Sequence, residues 1–151
     1  MFKTHLLFAF LISLLTFRYF DLNSLIFIMI LVFSGILPDI DHGKSYIGRK
    51  LFIFSWIINL VFGHRKLIHS VLFATIVAIL IRTFFGLYWI PFYLGYLSHL
   101  LLDGLTKQGV YIFYPSSFRI KGFVKTNGIF EKVFLLILTV VNIFYLFYYM
   151  L

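Results

Sequence analysis

The chain has 151 residues, 62% hydrophobic and 22% aromatic, with a mean hydropathy of +1.03. That excludes an ordinary soluble domain and points to one integral membrane unit over residues 1–151, with no linker rich enough in Pro, Gly or Ser to divide it. The formal charge of +8 fits the Lys and Arg excess that orients membrane spans, and no basic recognition helix argues for nucleic acid. With no cysteine present, disulfides, thiolate zinc sites and iron–sulfur clusters are excluded, so any metal must use histidine nitrogen and carboxylate oxygen.

The expected architecture is an all-α membrane bundle of about five transmembrane helices plus one short interfacial helix. The spans fall at 5–20, 22–37, 67–85, 87–105 and 129–150. The first two are slightly short, which tilt or local thinning of the bilayer absorbs. The first is kept in the mature protein, because no small-residue cleavage site follows it. The run 51–62 would be only about 18 Å long as a helix, too short to span, and reads as interfacial or re-entrant. Pro91 lies in the first turns of the fourth span, where proline is tolerated best. Placing the N-terminus in the cytoplasm puts eleven of the thirteen Lys and Arg on that side and leaves Arg18 and Arg82 opposite. The reading is therefore a multi-pass inner-membrane protein with a cytoplasmic N-terminus and an external C-terminus.

Polar residues that lipid tolerates poorly gather along this chain in order. His5 opens the first span, and LPDIDH (37–42) closes the second. In an extended turn Asp39 and Asp41 face opposite ways, so that one binds metal while the other orients a histidine or the turn. If the backbone curls, both can bind and one can bridge two ions. His42 is the weakest member of that group. In GHRKLIHS (63–70), His64 lies in the turn and His69 one turn into the third span. The two converge only if His64 is outside the helix. Arg65 supplies fixed positive charge suited to a phosphoryl transition state, and Lys66 reads as membrane anchoring. Ser70 and Ser98 are expected to bond back to helix carbonyls rather than act as nucleophiles.

In SHLLLDGLT (98–106), His99 and Asp103 stack one turn apart, binding one metal together or with Asp103 orienting His99. Gly104 is placed to end the helix in the left-handed conformation. Residues 110–121 read as a basic-aromatic cytoplasmic loop with a short strand pair. Glu131 suits the N-terminus of the last helix, with Asn127 as its N-cap. In this topology His5, Asp39, Asp41, His42, His64, His69, His99, Asp103 and Glu131 all fall at one membrane face.

The succession LPDIDH–KS–IG, FGHRKLIHS and GYLSHLLLDGLTKQGVYIFYP resembles the YdjM-type family of membrane-bound, metal-dependent hydrolases. The likeness also takes in His5-Leu6-Leu7, Pro115 and Glu131 and so covers nearly the whole chain. It implies a metal site at Asp39, Asp41, His64, His69, His99 and Asp103, with His5 and His42 as additions. Two departures stand out: Gly43 where proline is common, and Lys66-Leu67-Ile68 where Gly-Phe-Thr is common before His-Ser.

The expected function is metal-dependent hydrolysis at the cytoplasmic face, of a phosphoester in a lipid or membrane-associated substrate. One or two divalent ions are expected, zinc first, with manganese or iron acceptable to the same donors. Asp39 or Asp103 would take the proton and Arg65 would stabilise negative charge. The alternative is a non-catalytic metal-binding scaffold or sensor. Transport is disfavoured, because the spans carry few polar groups at mid-depth beyond Ser13, Thr75 and Asn142.

Overall fold

The computed structural model describes residues 1–41 and 67–151, with Asp41 described as backbone alone. The expectations for the Asp41 side chain, His42, His64, Arg65, Lys66 and the short helix at 51–62 lie outside the described residues. Within them the fold is all-helical: α1 (Phe2–Thr16), α2 (Ser24–Ser34), α3 (Val71–Phe85), α4 (Trp89–Gly104) and α5 (Ile129–Met150). Single 3₁₀ turns at Phe17–Tyr19, Leu37–Asp41 and Gly86–Tyr88 follow α1, α2 and α3.

Local chemistry sets several of these ends. The Asn23 side chain accepts from the Ile26 N–H at 3.1 Å and starts α2. Ser70 caps α3, accepting from the Phe73 N–H at 3.2 Å and donating to the Leu67 carbonyl at 2.6 Å. At Gly86 the backbone takes φ +61°, a conformation that favours glycine, and reverses the chain between α3 and α4. The two helices then pack against each other, tied by a 3.1 Å hydrogen bond between Thr75 Oγ1 and Tyr93 Oη. Val71–Gly104 is therefore a helical hairpin. This stretch and Ile129–Met150 are the ones long and apolar enough to cross a membrane among the described residues.

Helix α4 is the hub. It packs on α1, α2 and α3, while α5 packs on α1. Its apolar core joins Phe92, Tyr96 and Leu100 to Ala74 and Ala78 of α3 and to Val110. Small residues let the backbones approach closely, as in lipid-embedded bundles. A Cβ on Gly95 would collide with the Leu31 carbonyl and the Ser34 hydroxyl of α2, and one on Gly35 would strike the Ala9 side chain.

The distribution of polarity is inverted relative to a soluble protein. Leu136, Phe144 and Phe147 are about two-thirds exposed, whereas Thr4, His5, His69, His99, Asp103, Glu131 and Asn142 are buried. Hydrocarbon as the surrounding solvent explains both halves of that pattern.

Three local expectations are corrected. Gly104 is not left-handed: it is the last residue of α4, and Leu105 closes the helix in the right-handed region. Asn127 does not cap α5; it holds φ +60° one residue earlier, and its N–H donates to the Glu131 carboxylate at 2.7 Å. The loop after α4 forms isolated bridges, not strands. Val110 and Ile120 exchange both backbone hydrogen bonds, at 2.9 and 3.0 Å, and Thr106 pairs in parallel with Val124.

Candidate metal centre

The site is assembled at one end of the bundle from four stretches of chain. His99 and Asp103 come from the last turns of α4, His5 from the first turn of α1, His69 from just before α3 and Asp39 from the 3₁₀ turn after α2. His69 sits two residues ahead of Val71, the first helical residue, and so is not one turn into a span as expected. The reason is local: the Ser70 cap turns the chain out of helical geometry at His69. The Tyr96 hydroxyl then fixes this entry by donating to the Ile68 carbonyl, and the Val71 N–H bonds the Ile112 carbonyl at 2.9 Å.

His99 has a determined tautomer. Its Nδ1 lies 2.9 Å from the Gly35 carbonyl, which can only accept, so Nδ1 carries the proton. The lone pair on Nε2 then faces into the cluster, the arrangement typical of a metal-binding histidine held by a backbone carbonyl. His69 Nε2 lies 3.3 Å from His99 Nε2. The Asp103 carboxylate reaches all three rings, with Oδ1 3.4 Å from His5 Nε2 and Oδ2 3.5 Å from His69 Nε2 and 3.8 Å from His99 Nε2. The His5 and His99 rings stack, with centroids 4.0 Å apart and planes at 16°, and His69 meets His99 edge-on at 5.2 Å.

These separations suit a metal. A tetrahedral ion with bonds of about 2.0–2.1 Å has neighbouring donors about 3.4 Å apart. The donors fall into two overlapping groups, His5–His99–Asp103 and Asp39–His69–His99, each with its ligand atoms within 4.8 Å of one another. His5 turns its Nε2 toward the Asp103 carboxylate, while its buried Nδ1 has no hydrogen-bond partner among the described residues. A carboxylate fully withdrawn from solvent among three imidazoles calls for positive charge nearby. A His/Asp set without thiolate could hold a divalent metal ion.

Structure thus brings together five of the expected donors: His5, Asp39, His69, His99 and Asp103. The cluster itself was legible as sequence; its supports were not. Gly35 offers a carbonyl, which no motif reveals. Tyr96 acts three residues before His99, a helical spacing shared with any core aromatic. Thr4 donates to Glu131 at 2.8 Å across the α1–α5 contact, beside His5. Glu131 also accepts from the Asn127 N–H at 2.7 Å and lies 3.0 Å from the Met1 amine. That set fills the structural capping role expected for Glu131. Ser70 and Ser98 bond back to the Leu67 and Gly95 carbonyls, both at 2.6 Å, as expected of non-nucleophilic serines.

The polar residues at mid-depth are likewise engaged structurally. Ser13 bonds the Phe10 carbonyl at 2.7 Å, Thr75 bonds the Val71 carbonyl at 2.8 Å, and Asn142 bridges to the Leu7 carbonyl at 3.0 Å. They form helix ties rather than a continuous polar path.

Relatives agree with the membrane reading. The chain is 35% identical over 127 residues to the uncharacterized protein YvsG of Bacillus subtilis (strain 168), spanning 78% of this chain and 75% of that protein. It is 39% identical over 98 residues to the inner membrane proteins YdjM of Escherichia coli (strain K12) and of Shigella flexneri. Those alignments take in 60% of this chain and half the length of each YdjM protein. No solved structure matches it. The family model described as YdjM inner membrane protein matches residues 1–150, and with that coverage the chain belongs to the YdjM family.

Proposed function

We propose that this chain is a metal-dependent hydrolase whose centre lies at the cytoplasmic face of the inner membrane and acts on a phosphoester of a lipid or membrane-associated substrate. The observation that carries the reading is the convergence of His5, His69, His99 and Asp103 from separate elements, with His99 held so that its Nε2 lone pair faces the other donors. In this reading α1 to α5 serve as five spans, the short α2 being extended by the turn that runs on to Asp41, with the N-terminus cytoplasmic and the C-terminus external. Only that orientation puts the side that carries most of the Lys and Arg in the cytoplasm. The metal centre then sits beside the inner-leaflet headgroups.

Zinc is the preferred ion. His5, His69, His99 and Asp103 would hold it, and the family resemblance adds Asp41 and His64 as further donors for one or two ions. When bound, such an ion supplies Lewis acidity toward a phosphoryl oxygen and toward water. The protein's own groups divide the remaining work. Asp103, touching three imidazoles, is committed to the donor set. Asp39 is only half-buried, so it is the carboxylate placed to accept the proton from attacking water. Arg65 supplies the fixed positive charge that stabilises negative charge developing on a phosphoryl group.

The deep burial of the donors also favours a second reading, a closed metal site in a non-catalytic scaffold or sensor, because catalysis needs an open coordination position. One experiment separates these readings. The protein is purified in detergent, its metal content per chain is measured, and hydrolysis of bis-p-nitrophenyl phosphate is followed for the native chain and for His99→Ala and Asp41→Ala. Stoichiometric zinc with hydrolysis lost in both variants supports the enzyme. Zinc without hydrolysis supports the scaffold, and a metal-free native protein sinks both.

A further inference from the structure

The stretch 105–128, between α4 and α5, has no His, Asp or Glu and so supplies no donor to the metal centre. It does carry four cations, Lys107, Arg119, Lys121 and Lys125, all of them exposed. Backbone pairing fixes their places. The Gly122 N–H donates to the Thr106 carbonyl and the Val124 N–H to the Leu105 carbonyl, at 2.9 and 3.0 Å. The Lys107 N–H returns a bond to the Val124 carbonyl at 2.9 Å. Along 119–125 exposure then alternates: Ile120, Gly122 and Val124 are half-buried, while Arg119, Lys121, Phe123 and Lys125 are exposed. A Cβ on Gly122 would strike the Leu105 backbone, so the inward side lies close against the end of α4. On the outward side, the Arg119 guanidinium lies 5.2 Å from the centre of the Tyr111 ring, and Phe123 meets Phe130 edge-on at 6.4 Å. Phe118 and Phe123 stand among these cations, 61% and 69% exposed.

We infer that this strip binds anionic phospholipid, with Arg119, Lys121 and Lys125 meeting headgroup phosphates and Phe118, Phe123 and Phe130 entering the acyl border. Charge complementarity names the partner: from Gly104 to Phe130 no acidic residue offsets the four cations. The next carboxylate, Glu131, is buried and already engaged by Thr4, the Asn127 N–H and the Met1 amine. Position names it too. The strip joins the two stretches long and apolar enough to cross a membrane, so it sits where those helices leave the hydrocarbon. Aromatic rings flanked by Lys and Arg suit that boundary, the rings entering the interface while the cations reach phosphate. Each cation near an anionic membrane surface is worth about fivefold in binding. The inference does not depend on the hydrolase reading, because the strip holds no metal donor.

The absence of cysteine makes a direct binding test possible. A single cysteine is introduced as Ser117→Cys, exposed beside the strip, and labelled with an environment-sensitive fluorophore. The full chain in dodecyl maltoside is titrated with dioleoyl phosphatidylglycerol and, separately, with dioleoyl phosphatidylcholine. The expected result is a saturating response to phosphatidylglycerol alone. Adding Lys121→Gln with Lys125→Gln should weaken it at least about fivefold, and Lys121→Arg with Lys125→Arg should preserve it. The pair Lys3→Gln and Lys132→Gln removes the same charge from exposed positions outside the strip and should change it less than about twofold. Raising the salt should weaken the unsubstituted strip's response, since exposed charges are screened. An equal response to phosphatidylcholine, a response indifferent to salt, or equal weakening by the two glutamine pairs overturns the inference. Displacement of the lipid response by oligodeoxythymidylate also overturns it and makes the strip a nucleic-acid surface instead.

Discussion

His99 has one ring nitrogen spent on a backbone carbonyl and one facing three other donors, so its substitutions should separate orientation from ligation. His99→Ala should abolish stoichiometric zinc binding. Asp103→Asn keeps the shape and removes the charge that faces His5, His69 and His99, and should weaken zinc at least tenfold, as read by chelator competition. The Gly35 carbonyl cannot be mutated directly, but its position depends on neighbours that can. Gly95→Ala places a methyl where the Leu31 carbonyl and Ser34 hydroxyl already sit. Overpacking of this kind typically costs about 1–3 kcal/mol. Shifting α2 also moves Gly35, so the variant should lose thermal stability and zinc affinity together. A stable Gly95→Ala protein with unchanged affinity would refute that linkage.

At the scale of elements, the centre depends on how two helices begin. Ser70 ends one segment and starts the next, and its cap places His69 outside α3. Ser70→Ala should cost about 1 kcal/mol, the usual worth of an N-cap. It should also weaken zinc, while Ser70→Asp, which can still cap, should restore most of the stability. The start of α5 works through α1 instead. Glu131 accepts from Thr4 and from the Asn127 N–H, tying α1 down beside His5. Glu131→Ala should lower the melting temperature and weaken zinc less than tenfold, because it loosens His5 without removing a donor. A loss as large as that of His99→Ala would instead identify Glu131 as a ligand. The left-handed Asn127 shows why this start was hard to read: a residue suited to capping by type also tolerates positive φ, and only the surrounding chain selects between them.

For the whole molecule, the inverted polarity makes the bilayer part of the fold, and the orientation can be checked with the same cysteine-free background. Lys3→Cys should react with a membrane-impermeant maleimide only after the cells are opened, and Tyr148→Cys in intact spheroplasts; the reverse pattern would invert the topology. Composition and hydropathy along the chain were enough to indicate a helical membrane protein, because a bilayer requires long apolar helices whatever their partners. The three polar motifs were also visible, since His, Asp and Glu stand out against hydrocarbon. Spacing alone gave the His99–Asp103 pair, which a single helix positions. The rest needed tertiary structure. His5 is 94 residues from His99, yet their rings stack, and the carbonyl that fixes the His99 tautomer belongs to Gly35, 64 residues away. Neither relation has a local signal, because a backbone carbonyl is the same in every residue and ring stacking depends on how α1, α2 and α4 close on one another. The sequence by itself thus determined the medium, the helical class and the donor chemistry. Only packing decided which donors meet and which nitrogen faces the centre, because both depend on distances between helices rather than along one.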